Sequence, residues 1–358
     1  VSQFALSYVL TTKNKLLSLQ EAVRRLLENV RPDEEAIIVD GGSTDGSAEF
    51  LADLHRTGKI HQFISGPDVG EAHGANKGFL AARGDLVKVL SDDDVFYWPV
   101  IRECREFMMR NPDVDWLTTN GAGQSFEPPF APRLWSITTE YAQWLLRPTP
   151  ISVWGLGEMF RRSSLPLLGL YNVNACRVDL DYSLRNTTGI ANFALYTGCG
   201  WIGVANPRSG TRTRRGQYVE EGLKYDFFYG RIGLRQYLRR RAIRASNRLR
   251  RNARAWLKLN ASGSPTSQPC IREQALWPEF FRRCEAWLER VDKEVGGEFL
   301  MRPKGGSPSS WVEGGSRPRL RSVSAAVGAQ KSHPSKGSDT DQSVASTCGI
   351  VDSSSRLG

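Results

Sequence analysis

Paired cysteines, clustered histidines and long apolar runs are all missing from this chain of 358 residues. The six cysteines (Cys104, Cys176, Cys199, Cys270, Cys284 and Cys348) lie far apart, with no Cys-x-x-Cys pair. That excludes a zinc ribbon, argues against a disulfide scaffold and fits a reducing, cytoplasmic setting. Four histidines without metal-ligand spacing argue against a zincin. No stretch approaches the ~18 apolar residues that a membrane-spanning helix needs. Neither a Gly-x-x-x-x-Gly-Lys-Ser/Thr loop nor a Gly-x-Gly-x-x-Gly after the first apolar run occurs, which disfavours a P-loop or dinucleotide fold. There are no internal repeats. The opening residues lack the basic start of a signal peptide, and Val1 in place of Met leaves room for an upstream segment.

What is present suits a folded core: 40% of residues are hydrophobic and 24% charged. The net charge of +10 is unevenly placed. Residues 231–258 hold ten arginines, one lysine and no acid, so one segment rather than the whole surface is suited to a polyanion.

Along the first 111 residues, apolar runs alternate with helical spacing. Strands are expected at Phe4–Leu10, Ala36–Val39, His61–Ser65 and Leu86–Leu90. Helices follow each, the first on Leu16, Leu19, Val23, Leu26 and Leu27, the last opening at Pro99. This order predicts a mostly parallel sheet with helices on both faces. Residues 121–216 are less regular and rich in Pro, Gly and Trp, as expected of substrate-contacting loops. Residues 222–259 and 271–295 read as helical. In the second of these, Leu276, Phe280, Cys284, Trp287, Val291 and Val295 form one stripe for a core or an interface. After Met301 the composition turns to Ser and Gly, too poor in apolar groups to offset ordering entropy, so a disordered tail is expected. The expected organisation is 1–221 as the main domain, 222–260 as a basic amphipathic segment, 261–300 as a helix packed on the domain or a partner, and 301–358 as tail.

Asp40 and the run Asp92-Asp93-Asp94 lie just past expected strand ends, where open parallel sheets bind ligands. Three adjacent carboxylates repel unless a cation or donors compensate them. Hard oxygen ligands favour Mg2+ or Mn2+, which commonly bridge carboxylates to a diphosphate. The alternative is that these acids cap the Pro99 helix in a solvated turn.

In order along the chain stand Leu10-Thr11-Thr12-Lys13-Asn14, Ile37-Ile38-Val39-Asp40-Gly41-Gly42-Ser43-Thr44-Asp45-Gly46-Ser47, Pro67-Asp68-Val69-Gly70, Ala75-Asn76-Lys77-Gly78, Ala82-Arg83-Gly84-Asp85 and Leu90-Ser91-Asp92-Asp93-Asp94. This set resembles the family 2 glycosyltransferases, inverting enzymes of the GT-A fold that use nucleotide sugars, over roughly residues 4–205. The resemblance implies an α/β GT-A fold followed by C-terminal helices. It also implies nucleoside contacts from Thr11 and Asp40, with Asp92 towards ribose and metal and Asp93 as lead ligand of Mn2+ or Mg2+. Many members carry two acids where this chain has Asp40-Gly41. Lys77 is a candidate for the donor diphosphate, with a solvated lysine as the alternative. Met159-Phe160-Arg161-Arg162-Ser163 and Val178-Asp179-Leu180-Asp181-Tyr182 resemble the acceptor-side strand and acidic segment. There the resemblance implies Asp179 as general base and Asp181 as its substitute; the alternative for the second acid is a helix N-terminal charge.

The expected activity is therefore transfer of a sugar from a UDP-, GDP- or dTDP-sugar to a glycan, lipid-linked or protein acceptor in glycan biosynthesis. A non-catalytic module that binds sugar nucleotide or membrane is the alternative. Nucleotidyl transfer of sugar phosphates shares the sheet but needs a Gly-rich basic loop that Thr11–Lys15 does not supply. Leu234, Leu238, Ala242, Ala245, Leu249, Ala253 and Trp256 step by three or four among the arginines. That makes residues 231–258 a candidate for peripheral contact with an anionic membrane, the alternative being a helix packed on the domain with a solvated arginine face. No nucleic acid is expected, since aromatics are not interleaved as stacking platforms.

Overall fold

The computed structural model describes residues 3–147, 149–189, 191–206, 214–258 and 272–302. The Ser- and Gly-rich tail beyond 302 lies outside the described residues. The parallel half runs β1 (Phe4–Thr12), α1 (Leu16–Asn29), β2 (Glu34–Asp40), α2 (Ser47–Arg56), β3 (Gln62–Ser65), α3 (Glu71–Ala81) and β4 (Gly84–Ser91). After β5 (Val95–Phe96) and α4 (Trp98–Arg110) comes a mixed half: β6 (Trp116–Ser125), β7 (Arg133–Trp135), α5 (Thr138–Leu146), β8 (Met159–Arg161), α6 (Leu165–Leu168), α7 (Val178–Thr188) and β9 (Phe193–Ala205). Helices α8 (Arg215–Phe228), α9 (Leu234–Lys258) and α10 (Arg272–Val295) and the short β10 (Phe299–Leu300) follow.

The strand order is β10-β9-β6-β8-β4-β1-β2-β3, with β5 on β9 and β7 on β6. Strands β1 to β4 are parallel, as are β6 and β9, while β8 runs antiparallel between them. This is the mixed α/β, mostly parallel architecture that the GT-A resemblance implies. Alternation along β1 and β2 explains why both faces are covered. Leu6, Tyr8, Leu10, Ala36 and Ile38 join Leu19, Val23 and Leu26 of α1 in one core. Val9, Ile37 and Val39 point the other way, onto Ala72, Ala75 and Phe79 of α3 and Tyr141 and Trp144 of α5.

Three expectations need revision. The stretch expected to be irregular contains the second half of β6 and all of β9, the two longest strands of the sheet. Their glycines make room for rings: a Cβ on Gly121 would lie 2.1 Å from Trp201, and one on Gly123 would lie 2.1 Å from Trp135. The stretch 222–259 expected to be helical is divided between α8 and α9, with the break at Gly230, whose φ of 69° suits a helix end. In α10 the buried face is Trp277, Phe280, Phe281, Cys284, Trp287, Leu288 and Val291, whereas Leu276 and Val295 are exposed at its ends. That face enters the first core beside α1, where Arg25 pairs with Glu285. Among the described residues no helix is long and apolar enough to cross a membrane.

Candidate functional site

The carboxyl ends of β1, β2 and β4 lie side by side, with Thr12 opposite Asp40 and Thr11 opposite Ser91. Chain direction splits there, β2 lying on one side of β1 and β4 on the other, which leaves a crevice for ligands.

Asp92 and Asp93, both buried, hang beyond β4. Asp92 accepts hydrogen bonds from Thr12 Oγ1 at 2.7 Å and Lys15 Nζ at 2.9 Å, and Asp93 accepts from the same Lys15 amine at 2.9 Å and from Asn206 Nδ2 at 3.2 Å. Burial works against the Lys15 ammonium, but Asp92 and Asp93 outweigh it and hold the amine above its usual range. Lys15 is thus the compensating cation that three adjacent acids demand. Asp94 turns away and accepts from Ser91 Oγ at 2.5 Å and the Val204 amide at 2.6 Å, tying the loop to β9. None of these acids caps α4, whose N-terminus has no side-chain cap.

Asp40 is fully buried, and its oxygens accept from the Gly42 amide (3.1 Å), the Ser43 amide (3.1 and 3.2 Å) and Ser65 Oγ (2.9 Å). It braces the turn after β2. Thr11 stands half-buried beside it. Lys77 donates to Pro67 O at 3.2 Å, latching the loop before α3. Asn76 clamps Tyr171 in both directions, Nδ2 to O at 2.8 Å and amide to Oδ1 at 2.9 Å.

Asp179 and Asp181 share the first turn of α7 but face different surroundings. Asp181 is buried 4.0 Å from Arg185, and burial together with the Asp181 carboxylate pushes the Tyr225 hydroxyl of α8 up. Asp179 is half-buried at Gly155: a Cβ on that glycine would lie 3.6 Å from Asp179 Cβ, 3.9 Å from Tyr171 Oη and 4.0 Å from Glu158 Oε2. Burial raises the Asp179 carboxyl, with Arg177 and the Leu180 amide opposing. Glu158, fully buried, accepts from Tyr171 Oη at 2.6 Å, while its Oε1 has no partner. Burial pushes its carboxyl up to about 8, Tyr171 resists, and Asp179 adds to the rise. Lys88 holds this turn from below, donating to Leu156 O and Glu158 O.

Glu71, at the start of α3, reaches solvent, yet the walls around it raise its carboxyl. Lys15 opposes that rise, and Asp179, Asp92 and Asp93 reinforce it. Lys15, Glu71, Glu158 and Asn206 were not singled out from sequence; each is a lone polar residue whose neighbours come from distant strands.

Among the described residues no group of three or more His, Cys, Asp and Glu forms a metal cluster. Asp92 and Asp93 still suit a hard divalent ion. They offer carboxylate oxygens, and an ammonium bridging both at 2.9 Å marks a position whose field selects a cation.

Comparison with known proteins gives a family-model match to Glycosyl transferase family 2 over residues 7–166. The uncharacterized glycosyltransferase alr2836 of Nostoc sp. is 32% identical over 93 residues, covering 25% of this chain and 29% of that protein. Glycosyltransferase GlyG of Streptococcus pneumoniae is 32% identical over 94 residues, 25% of this chain and 30% of its own. The chain thus spans under a third of the length of these curated relatives. Among solved structures, the mannosyltransferase PcManGT of Pyrobaculum calidifontis in complex with GDP-Man and Mn2+ superposes with a TM-score of 0.47 at 16% identity, over 81% of this chain and 86% of that one. S. aureus TarS in complex with UDP-GlcNAc gives 0.45 at 13% identity, over 58% and 60%.

Proposed function

The chain belongs to glycosyl transferase family 2, and on that premise we propose that it transfers a hexose-type sugar from a nucleotide-diphosphate sugar to an acceptor hydroxyl with inversion. One observation carries the reading: Asp92 and Asp93 hang buried beyond β4, beside the carboxyl ends of β1 and β2, and hold one Lys15 amine between them at 2.9 Å. The donor lies along Thr11, Asp40 and Asp92, with Lys77 securing the loop that walls it. Asp93 and Asp92 would hold Mn2+ or Mg2+, which when bound neutralises charge on the departing diphosphate. Asp179 takes the proton from the acceptor hydroxyl, and its raised carboxyl makes it a better base than an exposed aspartate. Gly155 leaves space for the acceptor against Asp179. Asp181, engaged with α8, supports the position of α7.

The experiment is release of nucleoside diphosphate from donor and acceptor by wild type, Asp179→Asn and Asp93→Ala. Asp179→Asn should lose transfer while still binding donor, and Asp93→Ala should lose metal-dependent transfer. Normal turnover by both would overturn the assignment; donor binding without turnover by wild type would favour the non-catalytic module.

The acceptor side includes a membrane partner. Helix α9 meets α8 through Tyr237, whose ring stacks on Phe227 at 4.6 Å, and Arg244, which donates to Val219 O at 2.7 Å. Its apolar stripe lies on another face: Leu234 is 57% and Leu238 53% exposed, with Ala242 and Ala245 exposed beside them and Arg235, Arg239 and Arg241 around them. An exposed apolar row flanked by uncompensated arginines fits an anionic lipid surface, such as a cytoplasmic leaflet. Vesicle sedimentation should show binding to anionic and not to zwitterionic vesicles, reduced by Leu234→Asp with Leu238→Asp. Failure to bind either vesicle would remove the membrane from the proposal.

A further inference from the structure

Gly41 follows Asp40 at the end of β2, yet its backbone is not in the left-handed region that calls for glycine. The reason for glycine lies across the crevice. A Cβ built there would sit 2.3 Å from Asp68 Oδ2 and 2.8 Å from Asp68 Cγ. The carboxylate of Asp68, from the loop between β3 and α3, occupies the volume that a side chain at position 41 would fill.

Asp68 is placed to use that position. Its side chain is 9% exposed. Oδ1 accepts the Gly70 amide at 3.2 Å and lies 3.7 Å from Lys13 Nζ, whereas Oδ2 accepts from no described residue. Oδ2 lies 3.4 Å from the point where a Cβ on Gly74 would stand, and Thr11 Cγ2 is equally near that point, so this oxygen and Thr11 share one wall. Lys77 fixes the carbonyls of Gly66 and Pro67 just before it. Asp40 differs, because both its oxygens already accept from the turn. A largely buried carboxylate with one unclaimed oxygen is costly unless a donor reaches it.

We propose that Asp68 is the carboxylate that reads the nucleobase, with Lys13 beside it. The statement rests on the donor-binding reading above. A carboxylate acceptor next to an ammonium donor matches a lactam edge, a ring N–H adjoining a carbonyl, as in uracil, thymine and guanine. Cytosine and adenine present a ring lone pair at that place, which a carboxylate repels. The site therefore selects a lactam-base nucleotide, and discrimination by an unmatched buried polar group is strong.

Calorimetric titration of UDP, dTDP, GDP, CDP and ADP into wild type, Asp68→Ala, Asp68→Asn and the double variant Gly41→Asp/Asp68→Ala tests this. For wild type at least one lactam-base nucleotide should bind about tenfold or more tighter than CDP and ADP, the worth of one charge-assisted hydrogen bond. Asp68→Ala should erase the preference by weakening that nucleotide while leaving CDP unchanged. Asp68→Asn keeps the shape and should also flatten the preference, which separates recognition from folding of the loop. The double variant returns a carboxylate from the other strand end and should restore part of the preference. CDP or ADP binding as tightly as every lactam-base nucleotide, or a preference that survives in Asp68→Ala and Asp68→Asn, would overturn the assignment. Wild type binding none of the five would instead bring down the donor-site reading itself.

Discussion

In the parallel half of the sheet, Asp92 and Asp93 close onto Lys15, Thr12 and Asn206, so two buried carboxylates face a cation and neutral donors. In the mixed half, Glu158 shares one oxygen with Tyr171 and leaves the other without a partner, and Arg177 and the backbone amides of Leu180 and Asp179 are what oppose burial at Asp179. Burial raises the Asp92 carboxyl too, but there Lys15 and Thr12 oppose the rise, so the first arrangement holds a cation that a cationic ligand can replace. In the second, burial pushes the Glu158 carboxyl up to about 8 and raises that of Asp179. The acids of the two halves thus differ in what opposes burial, a bridging ammonium at Asp92 and Asp93 and a tyrosine hydroxyl at Glu158.

Removing the cation on the parallel side should have the largest effect. Lys15→Met leaves Asp92 and Asp93 facing each other without compensation, and breaking a buried pair of this kind costs about 3 kcal/mol; partial exposure of Lys15 argues for the low end. Urea unfolding at neutral pH would measure it, and added Mn2+ or Mg2+ should recover part of the loss by binding the folded state. An unchanged midpoint would mean that the two halves do not differ in the way described.

The packing of the halves differs as well, and this decides how much could be read from sequence. Apolar runs such as Phe4–Leu10 and Ala36–Val39 announce β1 and β2, since both faces of those strands are buried. Trp116–Ser125 and Phe193–Ala205 are harder to read, because Gly121 and Gly123 carry no side chain and the rings of Trp201 and Trp135 fill that space. The need for a cation at Asp92-Asp93-Asp94 was legible from charge repulsion. Its source was not, because only the register of β1 against β4 brings Lys15 to residues 77 and 78 positions later. Asp40 reads as a ligand-facing acid from its place after a strand, whereas its bracing of the turn at Gly42 and Ser43 shows only in the fold.

That packing contrast can be measured. Gly121→Ala adds one methyl 2.1 Å from the Trp201 ring and should cost about 2 kcal/mol, as overpacking does. Ile37→Val removes one methyl from the parallel half and should cost about 1 kcal/mol. Shifts in urea midpoint at unchanged slope would report both. Equal tolerance would show that the tryptophans of the mixed half move aside.

The finest test concerns protons. Glu158 carries a folded-state value of about 8 against an ordinary 4.5, so between those values the folded protein keeps a proton that the unfolded chain releases. Stability must then fall as pH rises through that window. Glu158→Gln removes this one group while keeping a partner for Tyr171. Unfolding free energies at pH 5, 6 and 7 should therefore diverge, wild type losing about 1 kcal/mol per pH unit relative to the variant. The same titration on Asp179→Asn should diverge in the same direction, because its carboxyl is also raised. Parallel curves for both would show that burial does not raise these carboxyls. Two diverging curves would place a raised carboxyl at each of the two acids that meet at Gly155.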